Sequence, residues 1–311
     1  MQTFEGSNPF PCTILFKTFA EGTVYKWSLN IRLMSTILIR YAELGLKSRM
    51  VRRRFENLLR DNILSALAKG RVEALLHSDE GRFYVEADDV DSAVTCLRRV
   101  FGVASVSVAE TCGSSMEDIC EHAAAYSMSR LQPGQSFAVR PRREGTHPYT
   151  SVDIGRNAGS AIYRANENLG IKVDLGSPDV EIFIEVRGPK AFIFDTYQDG
   201  PGGLPMGTQG KVIAFVKDDR DALAAWMLMK RGCRILVSGL AHPLLQAYDP
   251  DLKMLKDDAG LFIGDDVLGV VTGLGMDDFD ALKDMCFEVP VYAPLVGMDD
   301  EEIERRLKEM V

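Results

Sequence analysis

The sequence is poor in the residues that usually build a self-contained chemical centre. Its 311 residues hold four histidines and six cysteines (12, 96, 112, 120, 233 and 286), and no cysteine pair has the two-residue spacing of a zinc or redox site. The thiols therefore read as small buried apolar residues, and no metal site is expected. Long apolar runs are missing too: none approaches the roughly 20 residues that span a bilayer. Residues 1–33 lack the basic-then-apolar order of a secretory signal. The cytoplasm is the expected compartment, with no membrane partner. Positive charge is also in deficit, with 36 Lys and Arg against 45 Asp and Glu, which argues against a protein that coats nucleic acid indiscriminately. That deficit is uneven. Residues 34–70 carry eight Lys/Arg against three Asp/Glu, and residues 211–311 carry twelve against twenty, so a polyanion is expected to meet the front half.

What is present is strong periodicity. Met34 directly precedes "STILIRYAELGLKS", a strand and turn, so residues 1–34 read as a poorly ordered extension. Over 35–110 the pattern predicts a strand at 36–41, a helix at about 49–68, strands at 71–77 and 81–87, a helix at 89–99 and a strand at 103–110. This is the β-α-β-β-α-β order of a ferredoxin-like domain. A second α+β unit over 111–200 has a helix at 116–130, the strand "QSFAVRPRRE", a helix at 152–168 capped by Ser151, and a hairpin of runs 180–186 and 191–197 turned by "RGPK". The stretch "GPGGLPMGTQG" has five glycines and two prolines in eleven residues, which marks a junction with a linker over 201–210. From 211 to 311, runs at 212–216, 220–231, 234–238, 277–285 and 299–310 alternate as in a short, parallel, doubly wound α/β domain. Positions 223, 226, 227 and 229 set an inward face that buries Trp226.

The first turn of that domain is unusual. A strand-to-helix turn that holds phosphate needs glycines, so that the backbone approaches the anion and presents N–H groups. Here the turn is Lys217, Asp218, Asp219, Arg220, Asp221, with no glycine and three carboxylates. Like charges about 4 Å apart repel by roughly 4 kcal/mol at an effective dielectric of 20.

Several separated stretches, "YAELGLKS", "FAVRPRRE" with "TSVDIGRNAGSAI", "VDLGSPDVEIFIEVR", "GPGGLPMGTQGKVIAF", "AAWMLMKRG" and "VPVYAPLVGMDDEEI", occur in one order. Together they resemble the tRNA 4-thiouridine synthetase (tRNA sulfurtransferase) family. The resemblance implies a ferredoxin-like domain, a THUMP RNA-binding domain over 111–200, and a PP-loop (adenine-nucleotide α-hydrolase-like) domain over 211–311. In the family that last domain adenylates a tRNA uridine and a cysteine persulfide delivers sulfur. The family loop reads Ser-Gly-Gly-x-Asp-Ser, and only Asp221 stands in register with it. "VTGLGMDDFDALKDM" keeps Thr272-Gly273 without the family's Ser-Gln series. The family continues past "PLVGMDDEEI" into the segment bearing its sulfur-transferring cysteine, and neither Cys233 nor Cys286 is expected to replace it. A degenerate PP-loop with no catalytic residue and no cofactor follows as the expectation. Magnesium rescue through Asp218, Asp219 and Asp221 is not expected.

The resemblance also implies that the tRNA acceptor stem and 3′ end meet the two N-terminal domains. Arg140, Arg142 and Arg143 end one strand with guanidiniums suited to bidentate phosphate contacts. Lys47, Arg49, Arg52 and Arg53 form a companion patch at the first strand-to-helix turn. A basic helix run taken alone is most often a solvated face. Arg54 and Arg60 have Glu56 and Asp61 as helix partners, Tyr41 and Glu43 read as structural, and His147 reads as a loop filler or a base-stacking residue. The leading reading is a tRNA-binding protein without adenylation or sulfur transfer of its own. The alternative is an active or partner-completed tRNA sulfurtransferase that uses ATP and magnesium, and a third is a structural subunit with no RNA role. A homodimer or a catalytic partner protein stays open.

Overall fold

The computed structural model describes residues 35–41, 48–79, 81–255, 266–285 and 287–310. The extension 1–34, Glu43, Lys47 and Cys286 lie outside the described residues. Strand β1 (Thr36–Tyr41) is buried almost throughout, as expected of an apolar run in the middle of a sheet. Helix α1 (Arg49–Lys69) buries Phe55, Leu59, Ile63 and Leu67, a single stripe at four-residue spacing, and leaves its arginines on the other faces. There follow β2 (Ala74–Asp79), β3 (Arg82–Ala87), α2 (Val90–Leu97) and β4 (Val103–Gly113). The second strand starts three residues later than its apolar pattern suggests, because α1 runs on to Lys69 and Arg71 turns the chain at φ 56°.

The next unit is α3 (Met116–Ser127), β5 (Ser136–Glu144), α4 (Ser151–Ala165), β6 (Lys172–Val173), β7 (Val180–Arg187), β8 (Lys190–Phe194) and β9 (Gln198–Asp199). The cap of α4 is Thr150 rather than Ser151. Thr150 accepts from the Asp153 amide, and the Asp153 carboxylate accepts from the Thr150 amide in return, a complete capping box. The strands form one nine-stranded sheet, ordered β2-β3-β1-β4-β8-β7-β5-β6, with β9 on β4. Its continuity depends on the eleven residues of β4: Val103–Ala109 pair with β1, and Glu110–Gly113 pair with β8.

A buried ion pair fastens the two halves. Arg40 on β1 donates from Nη2 and Nε to Glu185 Oε1 on β7, at 2.7 and 3.1 Å, and from Nη1 to Ser107 Oγ on β4 at 2.9 Å. Glu185 is 2% exposed. A charge so buried is tolerated only when paired and hydrogen-bonded.

The C-terminal part contains β10 (Lys211–Val216), α5 (Asp219–Lys230), β11 (Arg234–Gly239), α6 (Pro243–Tyr248), β12 (Lys253–Met254), β13 (Val267–Val271), α7 (Phe279–Asp284), β14 (Val291–Tyr292) and α8 (Asp300–Met310). All its strands are parallel, in the order β12-β11-β10-β13-β14. Val212, Ala214 and Val216 face a core with α5, α6 and α8, while Ile213 faces Val267 and Val270 on the other side. Trp226 is buried at 6% exposure. It packs on Tyr248 at 5.5 Å and on Phe101 at 5.4 Å, so a residue between α2 and β4 belongs to this domain's core. The glycine-rich stretch is held on both sides. Gly200 donates to Ala104 O, Gly202 to Val103 O and Leu204 to Lys230 O, and the Met206 carbonyl accepts from Asn62. Gly203 has φ +72°, and a Cβ there would lie 2.1 Å from Lys230 O. Among the described residues no helix is long and apolar enough to cross a membrane.

Glu185→Ala strands a buried guanidinium and is expected to cost about 3–5 kcal/mol, read as a lowered urea midpoint by circular dichroism. The double substitution Arg40→Met/Glu185→Leu is expected to recover only part of that loss, because Arg82 and Arg187 also stand 3.9 and 3.7 Å from Glu185.

Candidate nucleic-acid interface and the strand-to-helix turn

The start of α1 brings its arginines to an open groove of about 800 Å³, lined by Arg49, Arg52, Arg53, Arg60 and Arg82 together with Glu56, Asp79 and Glu144. Glu144 ends β5, so the groove lies where the basic helix meets the end of the "FAVRPRRE" strand. Arg60 does not pair with Asp61, and Glu56 accepts instead from the Tyr41 hydroxyl at 2.6 Å. Burial and that bond push the Tyr41 hydroxyl well above the usual phenol range. Arg60 was read from the sequence as a helix-pair residue, and Arg82 was not singled out. Arg82 follows a turn on a different strand, and only the β1–β3 pairing carries it to the α1 arginines.

The three arginines of β5 do not form one patch. Side chains alternate along a strand, so Val139 and Pro141 face α4, where Pro141 lies against Gly155. Arg143 shares their side and donates to Gly145 O at 2.7 Å. Arg140 and Arg142 take the opposite face. Arg140 is tied to Glu181 at 2.6 Å, whereas Arg142 is exposed with no side-chain partner among the described residues. His147 is held inside its own loop, with Nε2 on Gly188 O at 2.8 Å and its ring stacked on Tyr149.

At the turn after β10, each carboxylate has a partner. Asp218 caps α5 by accepting from the Asp221 amide at 3.0 Å. Asp221 accepts from the Lys217 amide at 3.0 Å and from the Gly273 amide at 2.7 Å, and so ties the ends of β10 and β13 together. Asp219 bonds His242 Nε2 at 2.9 Å, and Arg220 bonds Asp300 at 2.5 Å. Gly273 permits this closeness, since a Cβ there would lie 2.6 Å from the Asp221 nitrogen. The turn borders a cleft of about 640 Å³ that also includes Phe215, Thr272, Asp277, Asp278 and Phe287. Its place, between β10 and β13 where the strand order reverses, is where open α/β sheets take ligands. Among the described residues no group of three or more His, Cys, Asp or Glu is arranged to hold a metal ion. Burial pushes the Cys233 thiol up, and burial with nearby carboxylates pushes Cys112 up to about 12, which makes both poor nucleophiles at neutral pH.

A ferredoxin-like sheet continued into a second α+β unit with a paired helix layer, followed by a parallel α/β sheet, defines a THUMP-type architecture. The model of the ThiI ferredoxin-like domain matches residues 36–107, and that of the THUMP domain matches residues 113–194. The tRNA sulfurtransferase of Thermoplasma volcanium is 33% identical over 325 residues, covering 87% of this chain and 66% of that protein. A Pyrococcus horikoshii protein of known crystal structure is 31% identical with a TM-score of 0.76, over 89% of this chain and 99% of that one. The crystal structure of a 4-thiouridine synthetase in complex with RNA and bound ATP superposes with a TM-score of 0.72 at 20% identity, over 89% and 85% of the two chains, a likeness of fold. The chain belongs to the tRNA sulfurtransferase family. It spans about half to two thirds of the length of the first curated relatives it matches.

Asp221→Ala leaves two backbone amides without their acceptor and is expected to cost about 1–3 kcal/mol. Asp218→Ala removes a helix cap and is expected to cost about 0.5–2 kcal/mol. Thermal denaturation of each variant reads both, and an Asp221→Ala protein as stable as the parent would remove the carboxylate from its structural role.

Proposed function

We propose that the chain binds the acceptor stem and 3′ end of tRNA through a ferredoxin-like domain (35–110) and a THUMP domain (111–200), and that the α/β domain (211–311) does not itself adenylate the RNA. The observation that carries the binding reading is the groove in which Arg49, Arg53, Arg60 and Arg82 converge from two elements beside the end of β5. Guanidiniums on separate rigid elements present phosphate donors at fixed spacing, which a solvated helix face does not. The family membership and the RNA bound by the structurally similar 4-thiouridine synthetase support the same reading.

ATP and its magnesium are the groups that the family would bring to the α/β domain, and the turn does not fit them. The helix-start amide at Asp221 and the loop amide at Gly273 are already satisfied by Asp218 and Asp221. A triphosphate would have to displace carboxylates from these amides and sit beside their charge. Lys217 and Arg220 stand at the same turn, but Arg220 is committed to Asp300.

Calorimetric titration with ATP and magnesium is expected to show no binding at millimolar concentration, and a micromolar dissociation constant would reverse the reading of this domain. Binding of tRNA should weaken with salt. If Arg49, Arg53, Arg60, Arg82 and Arg142 each neutralise one phosphate, the log–log salt slope is about −3.5 to −4.5, and charge reversal at one of them flattens it by about one unit. A slope near zero would exclude the groove as the RNA site.

A further inference from the structure

We infer that Tyr197, a part-exposed ring held against Phe183 of β7 and Phe194 of β8, is a stacking platform for an unpaired RNA base. The inference rests on the tRNA-binding reading above and adds to it the chemistry of the contact. Tyr197 lies in the short passage between β8 and β9, and its ring is fixed from several sides. Phe183 and Phe194 meet it nearly edge-on, with centroids at 4.7 and 5.1 Å. The Arg40 guanidinium lies over the ring at 4.4 Å. Arg40 is itself locked by Glu185, so the ring is held before any ligand arrives. Even so, 39% of the residue is exposed.

An aromatic ring in this position has an identifiable ligand chemistry. A ring held edge-on by other aromatics and covered by a cation on one side offers its remaining surface to another flat π-system. Arg142 stands opposite Glu185 in the β5–β7 register, and Glu185 holds the Arg40 guanidinium that covers the ring, so guanidiniums stand near the ring. Arg82 lines the groove of α1 and stands 3.9 Å from the Glu185 carboxylate that also holds Arg40, so the groove and the ring are linked through Glu185. Aromatic rings interleaved with guanidiniums are the pattern that binds single-stranded nucleic acid, in which bases are free to stack. A paired stem hides its base faces, so the ring is expected to act on the unpaired 3′ end and the groove on the stem.

The test uses the full chain and two fluorescently labelled RNAs, a stem with a short single-stranded 3′ end and the same stem blunt, read by anisotropy. The unmodified protein is expected to favour the overhang by roughly 5- to 150-fold, the range for stacking one base. Tyr197→Phe should keep that preference. Tyr197→Leu, which preserves an apolar side chain over Phe183 and Phe194, should remove the preference and leave affinity for the blunt stem and the salt slope unchanged. If the protein binds both RNAs and Tyr197→Leu leaves the preference intact, the inference is wrong while the binding reading stands. A loss common to both RNAs, or a changed circular dichroism spectrum in Tyr197→Leu with Tyr197→Phe also impaired, assigns the ring to the fold and overturns the inference. Failure of the unmodified protein to bind either RNA overturns both.

Discussion

Two charges 145 residues apart in sequence, Arg40 and Glu185, meet in the interior of the long sheet, and the front of the molecule is arranged around them. Burying such a pair costs several kcal/mol of lost hydration per ion, and only good geometry offsets it. The offset here comes from the two contacts of Arg40 to Glu185, the Ser107 hydroxyl, and aromatic rings over the guanidinium. Arg82 and Arg187 stand 3.9 and 3.7 Å from the other Glu185 oxygen, so one carboxylate anchors several cations. The same anchoring fixes the ring of Tyr197 and places Arg82 at the groove. β4 supplies the covalent counterpart of this bond, because one strand belongs to both halves of the sheet. Neither half is free to turn against the other without breaking a strand or a buried pair.

The α/β part is equally self-sufficient at its first turn. Helix α5 receives at its start the carboxylates that its exposed amides and dipole favour, and they come from the chain itself. Asp221 reaches across to Gly273 and closes the gap between neighbouring strand ends. The amides of Lys217, Asp221 and Gly273 are thereby part of the fold's own hydrogen bonding.

Much of the architecture was legible in the sequence because it rests on periodicity. The four-residue stripe of α1, the alternation in β7 and the apolar run of β10 each name an element and its buried face. Boundaries were less legible where short-range geometry decides them: Thr150 rather than Ser151 caps α4 because the reciprocal bond with Asp153 is available only from that position. The candidate site was legible in part. Arg49, Arg52 and Arg53 could be named as a patch because they are neighbours on one helix. Arg143 was grouped with Arg140 and Arg142 by adjacency, and strand alternation separates it from them. Arg82 and Tyr197 carried no local signal, since each gains its meaning from partners more than forty residues away in sequence, Glu185 for the first and Arg40 for the second. His147 offered two readings, and its contacts agree with the loop-filling one. It stands among plausible RNA contacts, but Gly188 and Tyr149 already occupy it.

Phe101 comes from the front domain, yet it is 2% exposed within the core that surrounds Trp226. A side chain that two domains share makes their folding interdependent. Were the rear domain deleted, Phe101 and the apolar flank of the glycine-rich strap would be uncovered to water, and the front domain would gain a sticky surface in place of a joint. Packing alone therefore couples the stability of the front domain to the presence of the rear one.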